Sequence, residues 1–405
     1  MTRLSHVAKI ASIAVGATFM LAGASSAQIG NGAQTIEGFP SSRSSAAAPV
    51  GPGKSRLPTT TPGVMPYETT GGSLPASQPA GAIGDSGVGS SAYGVSTSYK
   101  WPYTIARVAV TGAPFNTTNG AIVPVASRPY RFAGKLWMRF GSDWFVCTAS
   151  LVKKGVLITA AHCVHNYGQG QAGFADEVRW YPANWTAGGG PWGYYVGQSW
   201  RVPAPYVNGT DTCQSGARGV VCNNDIATVR LVPKNGAYAG TTLGGWYSYG
   251  WNGYSFLATP IFGNATVAAI TQIGYPAAID SGYQMLRGDS FGKYIAMTGA
   301  NGKVLKNTQL GSAMTGGSSG GPWLVNFGTA PVVTGSASLG KAGTVGRNIV
   351  VGTTSWGYTS VGTNVQGASW FGQNAEFPGA AYGSYGAGNI GKLMYDTCTA
   401  APAYC

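Results

Sequence analysis

The sequence predicts an all-β fold built from short antiparallel strands. Glycine contributes 64 of the 405 residues, about twice its usual share, and this frequency disfavours long helices. Only 9% of the residues are charged whereas 44% are hydrophobic, so a large core is possible and a coiled coil is excluded. Short runs rich in β-branched and aromatic residues recur between turn residues, as is typical of antiparallel barrels or of a β-sandwich.

The amino terminus, residues 1–27, has the parts of a secretory signal peptide. Two basic residues, Arg3 and Lys9, precede an apolar run over residues 10–24, and small residues follow up to Ala27. This pattern predicts cleavage after Ala27. The run is shorter than the roughly 20 residues that a membrane span needs, and no comparable run follows it. We therefore expect a secreted, extracellular monomer without membrane insertion.

Residues 28–100 consist mainly of Gly, Ser, Pro, Ala and Thr, with few large apolar side chains. Such a composition buries too little surface to offset the entropy of ordering, so we expect a low-complexity linker or pro-segment. Every tryptophan and every cysteine lies at or beyond Trp101. The folded domain is therefore predicted over residues 101–405.

Within this domain, two strands at Lys135–Phe140 and Trp144–Cys147 flank a turn at residues 141–143. This arrangement is typical of a β-hairpin. Near the carboxyl end, Asn389–Tyr395 has the pattern of a short helix. Further strands with turn residues close by are predicted at Val156–Thr159, Ile226–Leu231, Thr266–Ile270, Val332–Ser336 and Ile349–Ser355.

The six cysteines predict three disulfides, because their number is even and an exported chain meets an oxidising environment. Closeness in sequence alone suggests two pairs, Cys213 with Cys222 and Cys398 with Cys405. A metal site is the weaker alternative, since the chain has no Cys-x-x-Cys pair and only two histidines after the signal peptide. We expect no metal and no organic cofactor.

The net charge of +13 raises the question of nucleic-acid binding. The cations are scattered along the chain, and no recognition helix, zinc finger or RNA-binding signature accompanies them. Binding to nucleic acid is therefore not expected.

Hydrolysis of an amide requires a nucleophile, a base, a group that orients the base, and donors for the oxyanion. The candidate base is His162, which lies where a β-run ends and directly precedes Cys163. The other histidine, His165, is expected to be a surface or loop residue.

The candidate nucleophile is Ser319, which lies in the glycine-rich segment Gly316–Pro322. Glycines allow a sharply bent backbone whose N–H groups converge, and they leave room for a substrate carbonyl. The N–H groups of Gly317 and Ser319 would then form the oxyanion hole, where one donor contributes about 3–4 kcal/mol. A flexible Gly/Ser turn is the alternative interpretation.

Six acidic residues lie between His162 and Ser319, and Asp225 is the best placed of them to orient the base. It opens a β-run that ends at Leu231. A carboxylate that enters a buried strand needs a hydrogen-bond partner, and an imidazole N–H is one. Asp211 is the second candidate.

Together these segments resemble the trypsin-like serine peptidases of the chymotrypsin fold, and most closely the secreted bacterial members near the glutamyl endopeptidases. The resemblance covers roughly residues 128–395. It implies two six-stranded antiparallel β-barrels, over about residues 128–245 and 246–405, with the active site between them. The matching segments follow the family's order of histidine, aspartate and serine, and they are Thr159–Cys163, Asp225–Leu231, Gly316–Pro322 and Thr353–Gly357.

The same resemblance implies residue roles. His162 would be the general base, Asp225 would orient it, and Ser319 would form the acyl-enzyme. A disulfide between Cys147 and Cys163 would brace the histidine loop. The implied substrate-binding residues are Ala313, Ser355, Trp356 and Gly357.

Three positions depart from the family pattern. Ala313, at the floor of the primary pocket, offers no carboxylate to a lysine or arginine side chain. The segment Thr354–Gly357 lacks the histidine of the glutamyl-specific relatives, so a small or apolar residue is expected before the scissile bond. Ser318 stands where activated members carry an acid that pairs with a new amino terminus. Activation is therefore expected to remove some or all of residues 28–100.

The sequence thus predicts a secreted serine endopeptidase that acts on protein or peptide substrates. A binding protein on the same scaffold, without turnover, is the main alternative. A structural or adhesive cell-surface protein would fit the glycine and aromatic content, but it would leave the motifs unexplained.

Overall fold

The computed structural model confirms the all-β prediction. The predicted signal peptide and the predicted strand Val332–Ser336 lie outside the residues that the structure describes. The other predicted strands, and the predicted helix, are present. The described residues are 33–41, 54–55, 92–96, 99–108, 116–117, 120–121, 124–186, 189–211, 222–298, 302–328, 346–358 and 363–405.

Six antiparallel strands form the first barrel. Backbone pairing links them in the order β1, β2, β3, β6, β5, β4 and back to β1, so the barrel is closed. Its interior is filled by buried apolar side chains such as Leu136, Trp180 and Val229, and each such side chain contributes about 1.5–3 kcal/mol. The strands are β1 Ala133–Phe140, β2 Asp143–Lys153, β3 Val156–Thr159, β4 Glu177–Pro182, β5 Tyr195–Pro203 and β6 Ala227–Leu231.

Six further antiparallel strands form the second barrel around buried residues that include Ile270, Trp323 and Val351. They pair in the order β11, β10, β7, β8, β9, β12. Within the described ranges no backbone ladder joins β11 to β12. The prediction of two six-stranded antiparallel barrels is confirmed. The strands are β7 Ala265–Gly274, β8 Leu286–Thr298, β9 Val304–Gly311, β10 Pro322–Val325, β11 Ile349–Thr353 and β12 Val365–Ser369.

Parts of the segment predicted to be a linker are strands of these sheets. Thr35–Gly38 pairs with β5, and Lys54–Ser55 pairs with β2. Ala92–Ser96 forms a hairpin with Trp101–Arg107, which adds to β8. These strands precede residue 101 and lie within the predicted linker or pro-segment. The predicted domain boundary at residue 101 stays a prediction.

Glu37 explains why the polar strand Thr35–Gly38 lies on the first barrel. Its carboxylate accepts hydrogen bonds from Ser199 Oγ at 2.7 Å and from an Arg230 guanidinium nitrogen at 2.6 Å, and it also pairs with Arg201. The Glu37 side chain is 17% exposed. The strand Thr35–Gly38 buries few apolar groups. Hydrogen bonds between its charged Glu37 and arginines far along the chain stabilise its position instead.

Replacing Glu37 with glutamine should destabilise the protein. The amide keeps the size of the side chain, but it removes the charge that faces two arginines. We expect the free energy of unfolding to fall by about 2 kcal/mol. Denaturant unfolding of wild type and Glu37→Gln measures this change, and superimposable curves would contradict the stabilising role of the strand.

The remaining elements are short. The helix α4, Gly388–Ala400, extends the predicted helix Asn389–Tyr395 at both ends. Its Thr397 hydroxyl is hydrogen-bonded to the Thr228 hydroxyl of β6 at 2.7 Å. None of the helices in the described ranges combines the length and apolar character needed to cross a membrane. Outside the barrels, the short strands are Asn116–Thr117, Gly120–Ala121, Ser248–Tyr249, Leu257–Thr259 and Trp356–Gly357. The helices are α1 Ala161–Val164, α2 Ala204–Val207, α3 Ala239–Leu243 and α4 Gly388–Ala400. The 3-10 turns are Pro124–Ala126, Tyr130–Phe132, Gly170–Gly173, Pro260–Phe262, Asp280–Gly282, Gly383–Tyr385 and Pro402–Tyr404.

Candidate active site

His162 lies on α1, which begins two residues after β3 ends. The neighbouring Cys163 forms a disulfide with Cys147 of β2, as the resemblance implied. The histidine is 4% exposed. A short helix and a covalent link therefore fix the candidate base at the edge of the first barrel.

Asp225 lies just before β6 and is buried. Its carboxylate accepts hydrogen bonds from the His162 backbone N–H at 2.9 Å and from His162 Nδ1 at 2.8 Å. Ser355 Oγ donates to the same carboxylate. Because a carboxylate only accepts, the Nδ1 atom carries the imidazole proton, and the Nε2 atom of the neutral ring holds the lone pair that can take a proton.

One residue that sequence reasoning missed, Ser369, helps to hold Asp225 in place. The Asp225 backbone N–H donates to Ser369 Oγ at 3.1 Å. Ser369 Oγ in turn donates to the Cys222 carbonyl at 3.2 Å. Ser369 is the last residue of β12. The second barrel therefore helps to position Asp225, which belongs to the first barrel.

Thr148 of β2 ties the candidate nucleophile loop to the first barrel. Its backbone N–H donates to the Ser319 carbonyl at 2.7 Å, and its hydroxyl donates to the Gly317 carbonyl at 2.8 Å. Thr159 Oγ1 donates to the Thr148 carbonyl at 2.9 Å. Thr148 was not among the predicted site residues, and Thr159 was named only as the first residue of the histidine segment.

Glycine is required at two positions of this loop. Gly320 has φ +77°, and a Cβ atom there would lie 2.0 Å from Thr159 Oγ1 and 2.9 Å from the Ala160 nitrogen. Gly317 has φ +99°, and a Cβ atom would lie 2.5 Å from the Tyr275 carbonyl. Gly320 thus lies against Thr159 at the end of β3. The helix α1, which carries His162, begins two residues after Thr159.

The two predicted oxyanion donors are the backbone N–H groups of Gly317 and Ser319. Within the described part of the chain, the N–H groups of Gly317 and Ser319 donate no hydrogen bond. Ser319 is buried, and its Oγ atom forms no hydrogen bond with the described residues.

The predicted substrate-binding residues lie on either side of this loop. Ala313 is half-buried at the start of the loop. Trp356 is buried and donates from its indole to Asn307 Oδ1 at 2.9 Å. Gly357 is paired with Gln366 of β12. Ser355 differs from its neighbours, because its hydroxyl is directed to Asp225.

Ser318, which replaces the acid of the activated relatives, has partners of its own. Its hydroxyl donates to the Thr315 carbonyl at 2.7 Å and accepts from Gln366 Nε2 at 3.2 Å. The loop before Ser319 is therefore held by neutral groups in the uncut chain, without a new amino terminus.

His165 was expected to be a surface or loop residue. It lies in the connection between α1 and the 3-10 turn Gly170–Gly173, but it is buried. Its Nε2 atom is 2.7 Å from the Gly170 carbonyl, and its ring packs 4.5 Å from the ring of Phe174. A hydrogen bond and an aromatic neighbour make its burial possible despite the polar ring. This histidine packs against Phe174 and Tyr206, which lie outside the six strands of the barrel.

Asp211, the second candidate for the orienting carboxylate, lies near Glu376 and Lys303. Burial and the neighbouring Glu376 raise the pKa of Asp211 to about 8. The backbone N–H and the Nδ1 atom of His162 both donate to Asp225 rather than to Asp211.

The raised pKa of Asp211 predicts a pH effect on stability. Between about pH 4 and pH 8 the folded chain keeps a proton that the unfolded chain releases, so the free energy of unfolding falls as pH rises, by at most about 1.4 kcal/mol per unit. Asp211→Asn removes this titration. Denaturant unfolding at pH 5 and pH 8 should show a smaller loss for the variant than for wild type, and parallel losses would contradict the assignment.

The described cysteines are disulfide-bonded. Cys398 is joined to Cys405, which confirms that predicted pair. Cys222 is also disulfide-bonded, and its predicted partner Cys213 lies outside the described residues. One cluster with metal-ligand side chains occurs in the described ranges, at Cys147, His162 and Cys163, but its two sulfurs are bonded to each other.

No protein-family model and no curated protein matches this chain. Among solved structures, the chain is similar to a thermostable serine protease, AL20, from an extremophilic microorganism, with 26% identity, 60% of this chain and 92% of that chain covered, and a TM-score of 0.43. The protease Anisep from Arthrobacter nicotinovorans has 21% identity, 60% and 91% coverage and a TM-score of 0.43. A Glu endopeptidase has 16% identity, 61% and 87% coverage and a TM-score of 0.38.

Proposed function

We propose that this chain is a serine endopeptidase in which Ser319, His162 and Asp225 form the catalytic triad. The observation that carries the proposal is the buried Asp225 carboxylate, which accepts hydrogen bonds from both the backbone N–H and the Nδ1 of His162. The contacts of Thr148 and Gly320 support it, because they bring the Ser319 loop to the strand end that precedes His162.

In the proposed reaction, Ser319 Oγ attacks the carbonyl carbon of a peptide bond while His162 Nε2 takes the hydroxyl proton. The C–O bond forms as the carbonyl π electrons move to the oxygen. The N–H groups of Gly317 and Ser319 then donate to this oxyanion, each contributing about 3–4 kcal/mol. Asp225 stabilises the imidazolium and keeps the ring oriented.

Collapse of the intermediate breaks the C–N bond, and the imidazolium gives its proton to the leaving amine. Water then attacks the ester carbonyl of the acyl-enzyme, with His162 accepting the water proton. The C–O bond to Ser319 breaks, and the proton returns to its oxygen. The product acid leaves, and the free enzyme is restored.

The substrates in this proposal are proteins or peptides with a small or apolar residue before the scissile bond. Neutral residues around Ala313 support this preference. Export, removal of residues 1–27, a pro-segment role for residues 28–100 and a monomeric state belong to the same proposal.

A binding protein without turnover is the second candidate, and one observation favours it. Ser319 is 0% exposed in the full-length chain, so a substrate carbonyl needs a path to its hydroxyl. Mass spectrometry of a peptide library digested by the secreted protein separates the two functions. New termini at defined residues support the peptidase, whereas an intact library together with measurable peptide binding supports the binding protein.

A further inference from the structure

Gln366 connects segments that contain the predicted substrate-binding residues Ala313 and Gly357. It is 2% exposed and is paired in β12 with Gly357 of the substrate-binding strand. Its side chain crosses to the opposite wall, which is the loop that leads to Ser319. We infer that Gln366 limits the side chain accepted before the scissile bond to glycine, alanine or serine. This inference rests on the proposed peptidase function and narrows its substrate class.

The Gln366 carboxamide bridges the two walls through four contacts. Its Nε2 atom donates to the Met314 carbonyl at 2.7 Å and to Ser318 Oγ at 3.2 Å. Its Oε1 atom accepts from Gln272 Nε2 and, at 3.4 Å, from Ser312 Oγ. The amide therefore connects β12 to residues 312–318 and to Gln272 of β7.

The neighbours of Gln366 are themselves anchored. Gln272 Nε2 also donates to Thr354 Oγ1 at 2.9 Å, and the same hydroxyl oxygen accepts from the Trp323 indole at 2.9 Å. Ser312 Oγ donates to Gln272 Oε1 at 2.6 Å. The amide thus belongs to a buried network that extends to the core of the second barrel.

This network makes the amide difficult to displace. A substrate side chain larger than a methyl or hydroxymethyl group would have to move Gln366 and break its hydrogen bonds. Each buried polar group left without a partner costs about 1–3 kcal/mol. Burying a leucine or phenylalanine side chain would recover about 1.5–3 kcal/mol, which does not offset the loss of several bonds.

The described groups that contact the Gln366 carboxamide are all neutral. They are two serine hydroxyls, one glutamine amide and one backbone carbonyl. No charge in this set compensates for the desolvation of a lysine, arginine or glutamate side chain. Charged residues before the scissile bond should therefore be excluded together with large apolar ones.

The test compares peptide substrates that differ only in the residue before the scissile bond. For wild type, kcat/KM should be at least about 10-fold higher with alanine than with leucine or phenylalanine. In Gln366→Ala, the ratio of leucine to alanine should rise at least about 10-fold, because the removed amide leaves space. The exposed Gln198 provides a matched control, since Gln198→Ala should keep the wild-type profile.

The outcomes separate this inference from the proposed function. A fluorophosphonate carries no pocket-filling side chain, so it should label Ser319 regardless of Gln366. Absence of labelling overturns the proposed function. If the wild type is labelled but prefers leucine or phenylalanine, only the role of Gln366 is overturned. This result does not depend on the folding of a variant. An unchanged profile in folded Gln366→Ala would equally overturn it.

Discussion

Ser319→Ala is expected to lower kcat/KM for peptide hydrolysis by at least about 10⁴-fold, because alanine has no oxygen with which to form an acyl-enzyme. Folding should be retained, since Ser319 Oγ forms no hydrogen bond with the described residues. The loop itself is held through backbone groups, such as the Ser319 carbonyl that accepts from Thr148 N–H. Initial rates with a library-derived peptide measure the effect.

The control for this variant is Ser384→Ala, which changes an exposed serine in the 3-10 turn Gly383–Tyr385. It should remain within about two-fold of wild type, as surface substitutions usually do. Residual activity of Ser319→Ala above a few per cent of wild type would mean that another group is the nucleophile.

Asp225→Asn is expected to lower kcat by about 10⁴-fold while leaving the protein folded. The shape of the side chain is retained, but one carboxylate oxygen becomes an NH₂ group that cannot accept from His162 Nδ1. The imidazole would then adopt the tautomer that lacks a lone pair on Nε2. The rate of peptide cleavage under saturating substrate measures this change.

Asp211→Asn is the matched control for Asp225→Asn. Its raised pKa of about 8 means that Asp211 is largely protonated at neutral pH, so an amide is a close replacement. We expect kcat within about three-fold of wild type. A large loss in Asp211→Asn with little loss in Asp225→Asn would transfer the orienting role to Asp211. The double variant Asp225→Asn with Ser319→Ala should be no slower than Ser319→Ala alone, because triad residues act as a unit.

The strands of the barrels could be predicted because their signal is local. Alternating or continuous apolar residues between turn residues identify β1, β2, β3 and β6 without reference to the rest of the fold. The strand Thr35–Gly38 has no such signal, since Glu37 is held by Arg201 and Arg230, more than 160 residues away.

The candidate site was predictable where chemistry restricts the choice of residue. Few histidines and acids are present, so His162 and Asp225 could be proposed from residue type and position. Their supporting residues could not, because Thr148, Ser369 and Gln366 are ordinary polar residues whose partners lie far along the chain. The burial of His165 was missed for the same reason.

The central claim is that Ser319 is a nucleophile activated by His162. Mapping a fluorophosphonate adduct by tandem mass spectrometry on the secreted protein, with its disulfides formed, tests it most directly. We predict a single adduct on the peptide that contains Ser319, and none in Ser319→Ala or His162→Ala. An adduct on a different residue, or an unmodified Ser319 in folded protein, would contradict the claim.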